Sequence, residues 1–150
     1  MGHTFTNHLY HIVFSTKERR ELITADVKGR LHEYICGTAR NVGGAVLVIG
    51  GVKNHVHLLA SVKPSVAVAD FVRDIKANSS KWLPETFRGM GLFEWQQGYA
   101  SFTVSSSNRK RVADYIERQE AHHGRMPYEG ELARLLDKHG VEFDRAHYLD

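Results

Sequence analysis

Hydrophobic and polar positions change period along this chain, from two to about 3.6 and back, and the switches lay out its elements. Residues 9–15, Leu-Tyr-His-Ile-Val-Phe-Ser, are rich in β-branched and aromatic side chains and run into the charged turn Lys17-Glu18-Arg19-Arg20, which predicts a first strand. Val27, Leu31, Tyr34, Ile35 and Thr38 then repeat at helical spacing until Gly43-Gly44. Residues 45–49 are apolar, 50–54 are turn-like and 55–62 alternate, so the two runs read as a hairpin. After Pro64-Ser65, the positions Val68, Phe71, Val72, Ile75 and Trp82 mark a second amphipathic helix, which Pro84 is expected to end. Residues 87–98 are irregular, and 99–105 alternate as a fourth strand would. Ser106-Ser107-Asn108 offers caps for a helix with Val112 and Ile116 on its apolar side, and a last helix is expected over about 130–138, stopping at Gly140. Residues 144–150 read as a loosely held tail.

The order β-α-β-β-α-β followed by helices is the ferredoxin-like split βαβ pattern of an α+β protein. It predicts a four-stranded antiparallel sheet with two helices on one face, plus a C-terminal helix bearing Tyr115. At 150 residues, 42% hydrophobic and 25% charged, the chain suits one globular domain over 1–150 and excludes wholesale disorder. A net charge of +3 permits a polyanionic partner without demanding one. Cys36 is the single cysteine, so no intramolecular disulfide forms, and its helical position suits a buried inert thiol. No stretch approaches ~18 consecutive apolar residues, so neither export nor membrane spanning is indicated and a cytoplasmic location is expected.

Chemistry enters with Asn54-His55-Val56-His57-Leu58-Leu59. On a strand, Val56, Leu58, Ala60 and Val62 point to one face while His55 and His57 stand side by side on the other, their Cβ atoms on the order of 7 Å apart. Two imidazoles so placed form half of a metal site, although a pair of solvent-facing histidines would show the same spacing. Tyr115 and Gln119, four residues apart, share a helix face. If that face packs across the histidines, the Gln119 amide oxygen becomes a third ligand and the Tyr115 hydroxyl lies beside the cation. A divalent ion there would suit attack on a phosphodiester, because it absorbs charge developing on the phosphate and assists a nucleophile whose free pKa is about 10.

These residues, with Tyr10-His11-Ile12-Val13-Phe14-Ser15-Thr16-Lys17, Arg19-Arg20, Lys76, Ser79-Ser80-Lys81-Trp82, Trp95-Gln96 and Tyr115-Ile116-Glu117-Arg118-Gln119, resemble the single-tyrosine HUH transposases of small IS200-like insertion sequences and their relatives that act on repeated extragenic palindromes. The resemblance implies that Tyr115 is the catalytic nucleophile and that His55, His57 and Gln119 bind a divalent metal, magnesium or manganese. It further implies a homodimer that cleaves and rejoins single-stranded DNA at hairpin-bearing ends through a 5′-phosphotyrosine. The position before the first histidine, often aspartate in such proteins, is Asn54 here.

Lys17, Arg19, Arg20, Lys76, Lys81, Arg109, Lys110 and Arg111 are candidates for a DNA surface, although each alone reads as a solvated charge. His122 and His123 are set aside from the metal site as residues near a helix end. Two other readings stand beside strand transfer. One is a hairpin-binding protein of the same family without catalysis. The other is a small metallohydrolase, ranked last because neither a third strand histidine nor a carboxylate base is legible beside the pair.

Overall fold

The computed structural model describes residues 2–123 and 126–150. Its strands are β1 (Leu9–Ser15), β2 (Gly44–Val52), β3 (His55–Val62) and β4 (Ala100–Val104). Its α-helices are α1 (Ala25–Asn41), α2 (Val68–Thr86), α3 (Arg109–Glu117), α4 (Gln119–His123) and α5 (Tyr128–Lys138). The sheet order is β2-β3-β1-β4 with every neighbouring pair antiparallel, which is the ferredoxin-like α+β arrangement expected.

The central strands β1 and β3 are buried on both faces, and the two faces meet different layers. Ile12, Phe14, Val56, Leu58 and Ala60 pack with Val27, Leu31 and Ile35 of α1 and Phe71 and Ile75 of α2. On the opposite face, Leu9, Leu59 and Val104 pack with Ile116 of α3, while Val13 and Phe102 pack with Tyr128, Leu132 and Leu135 of α5. The C-terminal helices are therefore a third layer, laid over the face that carries the histidine pair. No α-helix among the described residues is long and apolar enough to cross a membrane.

Several local expectations change. Gly50 and Gly51 belong to β2, which runs on to Val52 with a register shift between Val46 and Val48, leaving only Lys53 and Asn54 as the turn. The reason is close approach: a Cβ on Gly50 would lie 2.1 Å from the Ile116 carbonyl oxygen, so α3 rests directly on strand backbone. Pro84 does not end α2, which continues to Thr86. Its missing N–H removes a single bond in the last turn, where the helix is about to stop. Strand β4 starts at Ala100 rather than 99, and α5 starts at Tyr128 rather than 130, after Pro127. Asn108 makes no side-chain capping bond to α3. The C-terminal segment is not loose, because the Tyr148 hydroxyl donates to the Glu129 carbonyl at 2.8 Å and Arg19 Nη1 donates to the Leu149 carbonyl at 3.3 Å. Cys36 is half-buried on α1, and burial pushes its thiol pKa up.

Candidate functional site

His55 and His57 lie two apart on β3, opposite Ser15 and Val13 of β1, and both are fully buried. They are not a solvent-facing pair, since α3, α4 and α5 cover them. Tyr115 sits near the end of α3 and Gln119 begins α4, with a break at Arg118 (φ −98°, ψ 21°), so the two do not share one continuous helix. Both side chains still reach the histidines. The Tyr115 ring is 5.8 Å from that of His57, and Gln119 Oε1 is 3.1 Å from His55 Nε2.

A residue that sequence reasoning missed sits at the centre. Glu131 of α5 is 3% exposed, with Oε1 3.0 Å from His57 Nε2 and 3.3 Å from His55 Nε2. Its Oε2 accepts hydrogen bonds from the Tyr115 hydroxyl and, at 3.0 Å, from Gln119 Nε2. The signal for it was present: Tyr128, Leu132 and Leu135 form the buried stripe of α5, and Glu131 falls within that stripe. A carboxylate on a buried helix face requires partners. Beside the pair there is also a third strand histidine, His11 of β1, whose Nε2 is 2.7 Å from His57 Nδ1. Burial and His57 push the His11 pKa down to about 3, so it is neutral at ordinary pH. Of the two absences that ranked the hydrolase reading last, Glu131 fills that of a carboxylate beside the pair, whereas His11 backs His57 from its Nδ1 side and is not one of the groups placed to hold an ion.

The hydrogen bonds orient the donors. Asn54 Oδ1 lies 2.7 Å from His55 Nδ1, and an amide oxygen only accepts, so neutral His55 carries its proton on Nδ1. Its Nε2 lone pair then faces Gln119 Oε1 and Glu131 Oε1, two further acceptors. Lone pairs converging in this way repel unless a proton or a cation lies among them. The spacings of 3.0, 3.1 and 3.3 Å suit one small cation, because donors about 2.1 Å from an ion and at right angles to each other lie about 3.0 Å apart. His55, His57 and Glu131 are therefore placed to hold a metal ion. Tyr115 has its pKa pushed up by burial, by donation to Glu131 and by that carboxylate's charge, so its phenol stays protonated. Tyr128, whose ring lies 4.6 Å from that of His55, is pushed up by burial and Glu131 in the same way.

The basic candidates separate into two groups. Lys17, Arg19, Lys76 and Lys81 line one cleft of about 770 Å³ at the Ser15 end of β1, together with Trp95 and Gln96. Within it Lys17 pairs with Glu94 and Arg19 with Glu129. Lys76 Nζ donates to the carbonyls of Gln96, Gln97 and Gly98, while Arg20 is exposed beside Glu18. Arg109, Lys110 and Arg111 are exposed in the first turn of α3, beyond the other end of β1, where Leu9 pairs with Val104. The structure does not bring them to the cleft. The side chains of His122 and His123 lie outside the described residues.

Comparison with known proteins identifies the family. A model described as "Transposase IS200 like" matches residues 4–119, so the match includes Gln119 but ends twelve residues before Glu131. The ISDra2 transposase TnpA of Deinococcus radiodurans is 31% identical over 117 residues, covering 73% of this chain and 82% of that protein. The transposase for insertion sequence element IS200 of Salmonella typhimurium is 30% identical over 127 residues, covering 79% of this chain and 81% of that protein. A solved REP-associated tyrosine transposase bound to a REP hairpin has the same fold, with a TM-score of 0.61, 15% identity, and coverage of 97% of this chain and 91% of that one. By the extent of these matches the chain belongs to the IS200-like transposase family.

Proposed function

We propose that this protein cleaves and rejoins single-stranded DNA at hairpin-bearing ends, with Tyr115 as nucleophile and with His55, His57 and Gln119 holding a divalent cation, magnesium or manganese. The observation that carries this reading is the convergence of the Tyr115 hydroxyl, both imidazole Nε2 atoms and the Gln119 amide on one buried point. Hairpin DNA as substrate class is supported by family membership and by the REP-hairpin complex of a protein with this fold. Cytoplasmic action and a homodimer belong to the same proposal.

In this reading each residue has a part in cleavage. Tyr115 Oη attacks phosphorus, the bond from phosphorus to the 3′-oxygen breaks, the phenolic proton leaves Oη, and the departing 3′-oxygen gains a proton. The products are a 5′-phosphotyrosine and a free 3′-hydroxyl, and attack by a 3′-hydroxyl on that phosphotyrosine reverses the step and rejoins strands. Asn54 and His11 fix the ring orientations of His55 and His57 from the Nδ1 side. Gln119 is held by donation to Glu131, which turns its amide oxygen toward His55. The bound divalent ion would supply Lewis-acid stabilisation of charge developing on the phosphate. Lys17, Arg19, Lys76 and Lys81 offer a basic cleft for the strand, with Arg20, Arg109, Lys110 and Arg111 as outlying phosphate contacts.

The test is incubation of the purified protein with labelled hairpin-bearing single-stranded DNA and manganese, followed by a denaturing gel beside Tyr115→Phe. The expected result is a slow covalent band that is absent in the variant while hairpin binding persists. A band that survives Tyr115→Phe removes the nucleophile assignment. Hairpin binding with no cleavage under any divalent metal moves the reading to a non-catalytic binding protein.

A further inference from the structure

We infer that Glu131 is an anionic ligand of the metal site and the positioning residue for Tyr115, so that α5, outside the family-matched segment, forms part of the active site. The inference rests on the reading of His55 and His57 as metal ligands. The matched segment by itself supplies two neutral imidazoles and a neutral amide. A divalent cation held by those three alone would keep its full charge among buried side chains, where an anionic ligand offsets much of the cost of burial. Among the described residues Glu131 is the carboxylate at that point, and its two oxygens divide the work. Oε1 lies at ligand spacing from both Nε2 atoms. Oε2 takes the Tyr115 hydroxyl and the Gln119 amide, so one side chain ties the nucleophile to the cation site and keeps Gln119 turned toward His55.

Burying this carboxylate needs a device, and α5 provides it. Tyr128, Leu132 and Leu135 anchor the helix on the sheet through Val13 and Phe102, which fixes Glu131 between them over β3. The C-terminal segment adds a clasp through the Tyr148 bond to the Glu129 carbonyl and the ion pair of Arg19 with Glu129. Residues 126–150 are thus a structural arm whose effect at the site is delivered by one carboxylate.

The test is a manganese titration of the full chain, followed by electron paramagnetic resonance, comparing wild type with Glu131→Gln and His57→Ala. Glu131→Gln is expected to weaken manganese binding tenfold or more and to slow adduct formation even when the ion is saturating, because Oε2 no longer orients Tyr115 as an anion. His57→Ala is expected to weaken the ion at least as much. Unchanged manganese affinity in Glu131→Gln, with His57→Ala impaired, overturns the inference and leaves the metal site standing. Unchanged affinity in both variants overturns the metal-site reading itself. If Glu131→Gln does not fold, pulsed resonance on wild type carrying glutamate, but not glutamine, labelled with 13C at Cδ decides the matter. A 13C hyperfine coupling of a directly bound carboxylate is expected, and its absence overturns the assignment.

Discussion

Gly50→Ala is a one-methyl change on β2 whose effect should be felt at the tyrosine. Gly50 pairs with His57 across the sheet and faces α3. A Cβ there would lie 2.1 Å from the Ile116 carbonyl oxygen and 3.0 Å from Ile116 Cγ2, where ordinary contact begins near 3.4 Å. Relief requires about 1 Å of separation between β2 and α3, since the obstructing atom is helix backbone rather than a side chain that can turn away. Ile116 is fully buried and adjoins Tyr115, so movement of α3 carries the hydroxyl with it. Overpacking of this kind costs about 1–3 kcal/mol, which for a chain of this size lowers Tm by roughly 3–10 °C. A displacement of about 1 Å at a reacting group costs on the order of 10²-fold in rate.

The assay is single-turnover formation of the covalent adduct at saturating DNA and metal, measured well below the variant's Tm, with hairpin affinity determined in parallel. Gly29→Ala is the control, because Gly29 is exposed within α1 and a Cβ there meets nothing within 4 Å. It should stabilise the fold by about 0.5–1 kcal/mol and leave the adduct rate alone. The expected signature of Gly50→Ala is a large loss of adduct rate, a smaller loss of stability and nearly unchanged hairpin binding. An adduct rate equal to wild type would refute the reasoning. If Tm fell at the same time, β2 rather than α3 would have yielded, and the tyrosine would not be held by this contact.

Two further outcomes follow from the packing and the charge. His32 on α1 has its pKa pushed down to about 4 by burial and the Lys28 charge, and its buried Nε2 has no hydrogen-bond partner among the described residues. Between pH 6.5 and 4 the unfolded chain binds a proton there that the folded chain refuses, so stability falls with acidification by up to about 1.4 kcal/mol per pH unit. His32→Leu lacks this loss, and denaturant titrations at pH 7 and 5 should show its advantage widening at pH 5; parallel behaviour would exclude the effect. Lys81 lines the cleft from α2 and is exposed, whereas Arg73 on the same helix is paired with Asp70 and Asp74. Lys81→Ala should flatten the salt dependence of single-stranded DNA binding by about 0.7 in log-log slope while Arg73→Ala does not, and equal slopes would remove the cleft from the DNA path.

Which parts of this arrangement were legible in the chain depends on how local their causes are. The alternation around His55 and His57 and the helical spacing of Val27, Leu31 and Ile35 are set within one element, and the sheet order follows from the sequence of elements. Gly50 and Gly51 read as a turn because glycine punctuates chains, yet Gly50 answers to Ile116, more than sixty residues onward, pressing on the strand, and Gly51 to the close backbone of His55 and Val56 on β3. Pro84 read as a helix end for the same local reason, although in the last turn its missing donor removes little.

Glu131 is the instructive miss, because both clues to it are local and need only to be read together. Strand β1 carries Tyr10, Ile12 and Phe14 on one side and Leu9, His11 and Val13 on the other, so a sheet covered on one face alone would leave apolar residues of the second face in water. Something C-terminal must therefore cover the histidine face, and α5 has an apolar stripe to do so. Within that stripe, at the third position after Tyr128, stands a glutamate. A covering helix with an acid on its buried side, laid over a strand with two histidines on its buried side, leaves the acid and the imidazoles to satisfy one another or to share an ion. What the pattern could not supply is the register of α5 along β3. That is fixed by the seating of Tyr128 and Leu132 against Val13 and Phe102, and it decides that Glu131 falls between His55 and His57 rather than elsewhere along the strand.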